Sequence, residues 1–205
     1  MKIYSVTDKK FKRYGRVIEL DTKEIVSVGK SLPMQQCGVS YTASEPQFEK
    51  LAVAETIKNE YFGGIDTQIG FCCGHNNALD ALEWHTCSEI NIGISDLILL
   101  LGDVRDVEPD GRYNSSRVEA FRLSEGQAIE VYATTLHYCP IEVSPNGFGS
   151  VVALVKGTNT ELEHKSGDKL LFAKNKWLIA HEDNEELIGD GAFGGIYGKN
   201  FSIKF

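Results

Sequence analysis

The chain has 205 residues, of which 42% are hydrophobic and 24% are charged, and its formal net charge is −8. This composition excludes a disordered chain and is sufficient for one domain with a full core. The acidic charge argues against nucleic acid or an anionic membrane as a partner, and no run of about eighteen apolar residues is present to span a bilayer.

Two features of the sequence indicate the cellular compartment. Soon after residues 1–6 come the charged residues Asp8, Lys9 and Lys10. The N-terminal segment therefore lacks the long apolar run of a signal peptide. The five cysteines are odd in number and form no C-x-x-C pair, a pattern typical of reduced thiols. We therefore expect a cytoplasmic protein.

The first predicted element is a helix over residues 45–61. Ser44 can cap its start, Pro46 fits its first turn, and a pair of glycines follows its end. The apolar residues within this range approximate one helical stripe. The sequence therefore predicts one N-terminal helix.

After Gly64 the pattern changes to short segments rich in Ile, Val, Leu, Phe and Tyr, separated by turns that carry Gly, Asp, Asn and Ser. Many short strands at close spacing favour a sandwich or a barrel, so we predict a mainly β fold. The predicted strands cover residues 66–73, 78–85, 89–94, 97–101, 117–123, 127–132, 135–143, 149–156, 169–173 and 176–180. Residues 104–116 are predicted to form a polar loop, and the tail after His181 receives no predicted element.

Candidate metal ligands occur on three of these strands, over residues 78–85, 89–94 and 135–143. Alternate residues of a strand share a face, so Glu83 and His85 point the same way, and a turn can bring in Glu89 from the next strand. His137 opens a later strand and can face the same interior. Buried carboxylates are costly unless something offsets them, and a divalent cation is an economical answer. The alternative is a satisfied buried network of histidine and carboxylate without a metal.

The donor set limits the chemistry without fixing it. Two imidazoles with two carboxylates suit one divalent transition-metal ion, either Mn²⁺, Fe²⁺, Zn²⁺ or Ni²⁺. Glu83 is either the fourth ligand or a free carboxylate that acts as a base beside the metal. Glu83 and Glu89 are therefore the candidate catalytic residues for proton transfer.

Four further residues are candidate substrate contacts. His75 and Asn76 lie at a turn before the strand that leads to His85, although a turn-forming Asn beside an exposed His is the alternative. Lys174 flanks an apolar strand and can contact an anion or lie in solvent. Tyr132 either packs in the core or extends its hydroxyl to the site.

The site residues also resemble a known family. Glu83-x-His85-x3-Glu89 resembles the first motif of the cupin fold with its first His replaced by Glu. The segment from Gly126 through His137 resembles the second motif of that fold. The resemblance implies a cupin-type double-stranded β-helix, that is, a jelly-roll barrel.

A closer resemblance is to ureidoglycolate lyase. It rests on residues 11–19, on Leu-Glu-x-His at 82–85, on the turn at 126–129 and on residues 136–140. The chain departs from that family where a Trp is Leu136, where Glu89 replaces a frequent Gln, and in an additional C-terminal segment. As a whole the chain resembles an uncharacterised bacterial cupin-like family beside these lyases.

The resemblance implies one domain over 1–205. It would contain N-terminal strands and the helix over 1–64, a barrel core with both motifs over 65–157, and a C-terminal extension packing on the barrel over 158–205. Cupin-type chains often pair through sheets, so the resemblance also implies a homodimer.

Two functions follow from these predictions. The first is a metal-dependent enzyme of carbohydrate metabolism or a related route, acting on a small-molecule substrate such as a sugar, a sugar acid or a 2-hydroxy or carbonyl acid. The metal would act as a Lewis acid and a carboxylate as base, in isomerase or lyase chemistry. The second is a non-catalytic module that binds a metal or a sugar.

Overall fold

The computed structural model describes residues 1–164 and 166–204, and most of the regular structure in them is β. The strands are β1 (Ile3–Ser5), β2 (Gly15–Ile18), β3 (Val39–Thr42), β4 (Thr67–Gly74), β5 (Ala81–Trp84), β6 (Glu89–Gly93), β7 (Leu97–Asp103), β8 (Tyr113–Asn114), β9 (Glu119–Leu123), β10 (Ala128–Val131), β11 (Thr135–Leu136), β12 (Ile141–Glu142), β13 (Phe148–Val155), β14 (Leu171–Ala173), β15 (Lys176–His181) and β16 (Phe193–Tyr197). The predicted mainly β fold is confirmed.

The α-helices are short and few. They are α1 (Lys23–Ser31), α2 (Pro46–Glu49), α3 (Ala52–Thr56), which continues into a π-helical turn over Ile57–Tyr61, and α4 (Glu185–Gly189). Within residues 1–164 and 166–204, none of the helices has the length and apolarity that a bilayer crossing requires.

The strands of the described residues form three sheets. The first has the order β1-β9-β7-β11 with β12 also on β7, and the second has the order β2-β10-β6-β13-β4-β3. Side chains from both meet in one apolar cluster, with Leu99 and Phe121 from the first sheet and Ile129, Val152 and Leu154 from the second. Two sheets that enclose one core are the arrangement that the predicted jelly-roll barrel requires.

The second sheet separates two environments through the alternation of its side chains. On β6, Ile90 and Ile92 pack against the N-terminal helices, where they join Ile25 of α1 in an apolar cluster. The intervening Glu89 and Asn91 point to the other face, into the barrel, and both are buried. The polar face of β6 is therefore the inner face of the barrel.

The prediction of one continuous helix over residues 45–61 was wrong. Leu51 adopts an extended conformation with φ −79° and ψ 148°, and this breaks the predicted helix into α2 and α3. Glu45 rather than Ser44 caps α2, because the Glu45 carboxylate accepts the backbone N–H of Gln47. The apolar stripe nevertheless packs as expected, since Phe48 and Ile57 are fully buried.

Helix α1 was not predicted from the sequence. Gly29 lowers the helical propensity of this segment, and the structure shows why a glycine is needed there. A Cβ atom on Gly29 would lie 2.5 Å from Cδ1 of Ile94. Helix α1 can therefore pack closely on the barrel only with a glycine at this position.

Several strands also differ from the predictions. The predicted strand over 135–143 is split into β11 and β12, with Pro140 in the connection, where it can donate no ladder hydrogen bond. β1, β2 and β3 lie in the segment 1–64, where N-terminal strands were expected without bounds, whereas β8 and β16 were not predicted. The predicted polar loop over 104–116 contains β8, and the tail after His181 contains α4 and β16.

The third sheet joins the C-terminal segment to the barrel. Its order is β14-β15-β16-β8, and β5 also pairs with β15. The pairing of β5 with β15 is antiparallel and sets Trp84 opposite Trp177 and Glu83 opposite Leu178. β14 and β15 form a hairpin whose turn contains Asn175 at φ 55°. The hairpin therefore lies along the strand that carries the first candidate ligand.

Candidate metal centre

Glu83 and His137 lie directly opposite each other on neighbouring chain segments. The N–H of Glu83 donates to the carbonyl of His137 at 2.6 Å, and the N–H of His137 donates to the carbonyl of Glu83 at 2.9 Å. Opposite residues in such a pair place their side chains on the same face. His85 follows Glu83 by two residues and shares that face, which brings three of the four predicted ligands together.

Glu89, the fourth predicted ligand, is held between the two imidazoles. Its Oε1 accepts a hydrogen bond from Nδ2 of Asn91 at 2.9 Å. Its Oε2 lies 3.3 Å from Nε2 of His137 and 3.5 Å from Nε2 of His85. Asn91 therefore fixes the carboxylate so that one oxygen faces both rings.

Backbone carbonyls orient both imidazoles. Nδ1 of His85 lies 2.7 Å from the carbonyl oxygen of Asn175, and Nδ1 of His137 lies 3.1 Å from that of Thr135. A carbonyl can only accept, so each Nδ1 carries a proton. Each Nε2 faces the carboxylates, to which it donates when the ring is an imidazolium, and it offers a lone pair to a cation when the ring is neutral. Nε2 of His85 is buried and has no hydrogen-bond partner among the described residues.

These residues fit a divalent cation. Glu83, His85 and His137 each offer one ligand atom, and the three atoms lie within 4.8 Å of one another. The separations of 3.3 and 3.5 Å between Glu89 and the imidazoles match the ~3.4 Å expected between two donors of a tetrahedral ion with bonds of about 2.1 Å. Imidazole with carboxylate is a donor set that suits Mn²⁺, Fe²⁺, Zn²⁺ and Ni²⁺.

Without a cation, Glu89 and His137 stabilise each other's charged forms. Burial disfavours the charged carboxylate of Glu89, but His137 and His85 outweigh burial and hold its pKa well below the usual range. Burial also disfavours the imidazolium of His137, but Glu89 outweighs it and raises the pKa of His137 to about 9. A cation that binds here must therefore displace the His137 proton.

A lysine that the sequence analysis did not select completes the charged groups of the site. Lys176 of β15 forms an ion pair with Oε2 of Glu83, and the lysine side chain is only 16% exposed. Burial lowers the pKa of Lys176, but Glu83 outweighs burial and raises it. The only sequence signal was a lysine at the start of an apolar strand, which is equally typical of a solvated residue.

Three of the predicted ligands, Glu83, Glu89 and His137, line a cavity of about 240 Å³ together with Lys176, whereas His85 does not line it. Its lining residues are Val39, Tyr41, Cys72, Glu83, Glu89, Asn91, His137, Tyr138, Cys139, Pro140, Val152, Asn159 and Lys176. Burial raises the pKa of the phenols of Tyr41 and Tyr138. The pKa of the Cys72 thiol is also raised, by its contact with Cys139 and by burial. These three groups therefore stay uncharged near neutral pH.

The predicted substrate contacts lie elsewhere. Lys174 points to solvent, with 54% of its side chain exposed, and pairs with Glu163 at 3.5 Å. Lys174 does not line the cavity, because the turn at Asn175 directs Lys176 and not Lys174 toward it. Tyr132 is half-buried and lines neither this cavity nor the neighbouring one described below.

His75 and Asn76 line a neighbouring cavity of about 470 Å³, which shares Tyr138 and Cys139 with the first. Nδ1 of His75 lies 2.6 Å from a carboxylate oxygen of Glu142. The Asn76 amide donates to backbone carbonyls, including that of Cys139 at 3.2 Å. These contacts give Asn76 the turn-stabilising role that was the alternative for it.

The fold and the site together define a mainly β barrel protein with a candidate metal-binding cluster of histidine and glutamate. The chain belongs to the family described as "Domain of unknown function (DUF4867)", whose model matches residues 3–201. Among curated proteins, no match to the chain was found.

Several solved structures of oxalate decarboxylase are similar to part of the chain. One, from work on proton-coupled electron transfer in that enzyme, has 12% identity and a TM-score of 0.37, and the match covers 62% of this chain and 28% of that chain. The Bacillus subtilis enzyme at pH 4.6 has 13% identity, a TM-score of 0.35 and the same coverage of both chains. A structure from work on the Mn(II) centres of the B. subtilis enzyme has 12% identity and a TM-score of 0.35, covering 66% of this chain and 28% of that chain. The chain thus matches little more than a quarter of the length of these proteins.

Proposed function

We propose that this chain is a metal-dependent enzyme that acts on a small polar metabolite by isomerase or lyase chemistry. The observation that carries the proposal is the convergence of the Nε2 atoms of His85 and His137 on the Glu89 carboxylate, which lines a cavity together with His137. The resemblance of the sequence to cupins, and among them to ureidoglycolate lyase, supports the same class of reaction.

The alternative of a satisfied network without a metal is less well supported. In such a network each buried nitrogen would have a hydrogen-bond partner. Nε2 of His85 has none in the described chain, although Glu89 lies 3.5 Å away. Because Nδ1 of His85 is already occupied by the Asn175 carbonyl, the free Nε2 is arranged as a metal ligand is in proteins.

Glu83 and Glu89 are suited to different roles. Glu89 approaches the two imidazoles at 3.3 and 3.5 Å, whereas Oε1 of Glu83 lies 3.9 and 4.0 Å from the same nitrogens. The other oxygen of Glu83 is engaged by Lys176. These distances favour His85, His137 and Glu89 as ligands and Glu83 as the carboxylate that moves a proton.

The contacts of the site indicate separate roles for the cation, for Lys176 and for Glu83. When bound, a divalent cation would supply Lewis acidity and hold adjacent oxygens of the substrate. Lys176 forms an ion pair with the Glu83 carboxylate at the wall of the cavity. Glu83 can therefore accept a proton from a carbon or hydroxyl that enters the cavity. Val39, Pro140 and Val152 provide an apolar wall that limits access of water.

Metal analysis of the purified protein tests the proposal first. We expect about one transition-metal ion per chain, and we expect His85→Ala and His137→Ala to lose it while the fold is retained. A wild-type protein that binds no Mn²⁺, Fe²⁺, Zn²⁺ or Ni²⁺ on addition would contradict the proposal. A screen of sugars and sugar acids for turnover, with metal-free protein as control, then separates an enzyme from a binding module.

We further propose that the protein is a cytoplasmic homodimer with a small-molecule substrate and without a nucleic-acid or membrane partner. The net charge of −8 supports the last two points. The homodimer rests on the cupin resemblance.

A further inference from the structure

The ammonium group of Lys176 is a buried positive charge at the wall of the cavity. Its Nζ pairs with Glu83 and lies 5.6 Å from the ring centroid of Tyr138. Lys174, two residues earlier on the same hairpin, is exposed to solvent. A lysine is rarely buried without a partner that requires its charge.

The charge balance of the site indicates what that requirement is. Among the residues that line the cavity, the charged ones besides His137 are Glu83, Glu89 and Lys176. Imidazoles that bind a metal are neutral, so two carboxylates offset one divalent cation. With the ammonium of Lys176 included, the site as a whole then carries one net positive charge, which is costly away from water. A ligand with one negative charge would offset it.

Another polar atom of the wall indicates what else the ligand carries. Oδ1 of Asn159 is buried beside the cavity and has no hydrogen-bond partner among the described residues. An amide oxygen only accepts, so its missing partner is a donor such as a hydroxyl. The volume of about 240 Å³ is below the range of pockets for drug-sized ligands and suits a small metabolite.

We propose that Lys176 determines the charge of the substrate and that the site takes a small hydroxylated monocarboxylate in preference to a neutral polyol. This inference rests on the proposed function, because the charge balance requires the divalent cation. It narrows the substrate class to hydroxy acids and assigns Lys176 as the residue that selects them.

The test uses two ligands with the same three-carbon skeleton, DL-glycerate and glycerol. Their affinities for Mn²⁺-loaded protein are measured by isothermal titration calorimetry, and Mn²⁺ content is measured separately. We expect wild-type protein to bind glycerate at least about tenfold more tightly than glycerol, since charge-assisted hydrogen bonds are strong. Lys176→Met should lose this preference and still bind Mn²⁺.

Two control variants separate charge selection from a structural effect. Lys176→Arg keeps the positive charge and should keep a preference for glycerate, and Lys174→Met should behave as wild type. A wild-type protein that binds no Mn²⁺ overturns the proposed function. If Mn²⁺ binds, the inference alone is overturned by glycerol binding as tightly as glycerate, by no detectable glycerate binding, or by an unchanged preference in Lys176→Met.

Discussion

Replacement of Asn175 should weaken both the fold and the metal centre. Its side-chain Oδ1 accepts from the N–H and the hydroxyl of Thr86, at 2.9 and 2.5 Å. Its Nδ2 donates to the hydroxyl of Thr158 at 2.9 Å and approaches Sγ of Cys87 at 3.5 Å. Its carbonyl accepts from His85. One turn residue therefore ties the β14–β15 hairpin to the segment between two candidate ligands.

Asn175→Gly isolates the side chain, because glycine tolerates φ 55° at least as well as asparagine. The variant loses three hydrogen bonds to nitrogen or oxygen atoms, each with a net contribution of about 0.5–1 kcal/mol at a partly exposed site. We therefore expect the free energy of unfolding to fall by about 2 kcal/mol. Metal affinity should fall about 10–100-fold, the usual effect of losing a residue that supports a ligand.

Urea unfolding of metal-free protein and competition with a metal chelator measure these two quantities. Asn175→Asp is the matched control, because it tolerates the same backbone conformation and keeps the acceptor for Thr86. It should lose less stability than the glycine variant. Unchanged stability together with unchanged metal affinity in Asn175→Gly would show that the hairpin does not hold His85 in place.

The remaining predictions concern the charged groups and the assembly. In metal-free protein, the His137 contribution to stability is fully present below about pH 6.5 and is lost as pH rises through its folded pKa of about 9. The Glu89 contribution is present above about pH 4.3 and is lost as pH falls through its lowered pKa. Urea unfolding in EDTA should thus show the highest free energy of unfolding between about pH 4.3 and pH 6.5. A free energy of unfolding that does not change with pH would contradict the pairing of Glu89 with His137. Glu83→Gln should lower turnover by about 10²–10⁴-fold with little change in metal content, and near-normal turnover of fully loaded protein would exclude Glu83 as the base. Analytical ultracentrifugation should give the mass of a homodimer, and a monomer at micromolar concentration would count against it.

Local patterns in the sequence were sufficient to find the candidate ligands. The alternation of residues on β5 and β6 required Glu83, His85, Glu89 and Asn91 to share the barrel interior, and the structure brings the first three together with His137. His137 could be found because it follows a glycine-containing turn in a motif that resembles the second cupin motif. The alternation of polar and apolar residues depends only on residues close together in the chain, so it can be recognised in a single sequence.

Residues that depend on long-range pairing could not be found in this way. Lys176 and Asn175 act on the site only because β15 pairs with β5, and Asn175 lies 90 residues from His85. Nothing local distinguishes Lys176 from Lys174, and only the turn between them decides which one is buried. The break at Leu51 was missed for a related reason, because it leaves the apolar stripe intact.

The hydrogen bond between the Asn175 carbonyl and His85 also has a consequence for the order of events during synthesis. All four candidate ligands precede the β14–β15 hairpin in the chain, so they leave the ribosome before the carbonyl that orients His85. A nascent chain that has reached His137 therefore has the full donor set but lacks the contact that fixes one imidazole. Tight metal uptake should accordingly be a late step that follows the synthesis of the β14–β15 hairpin, after the strands of the first two sheets have been made.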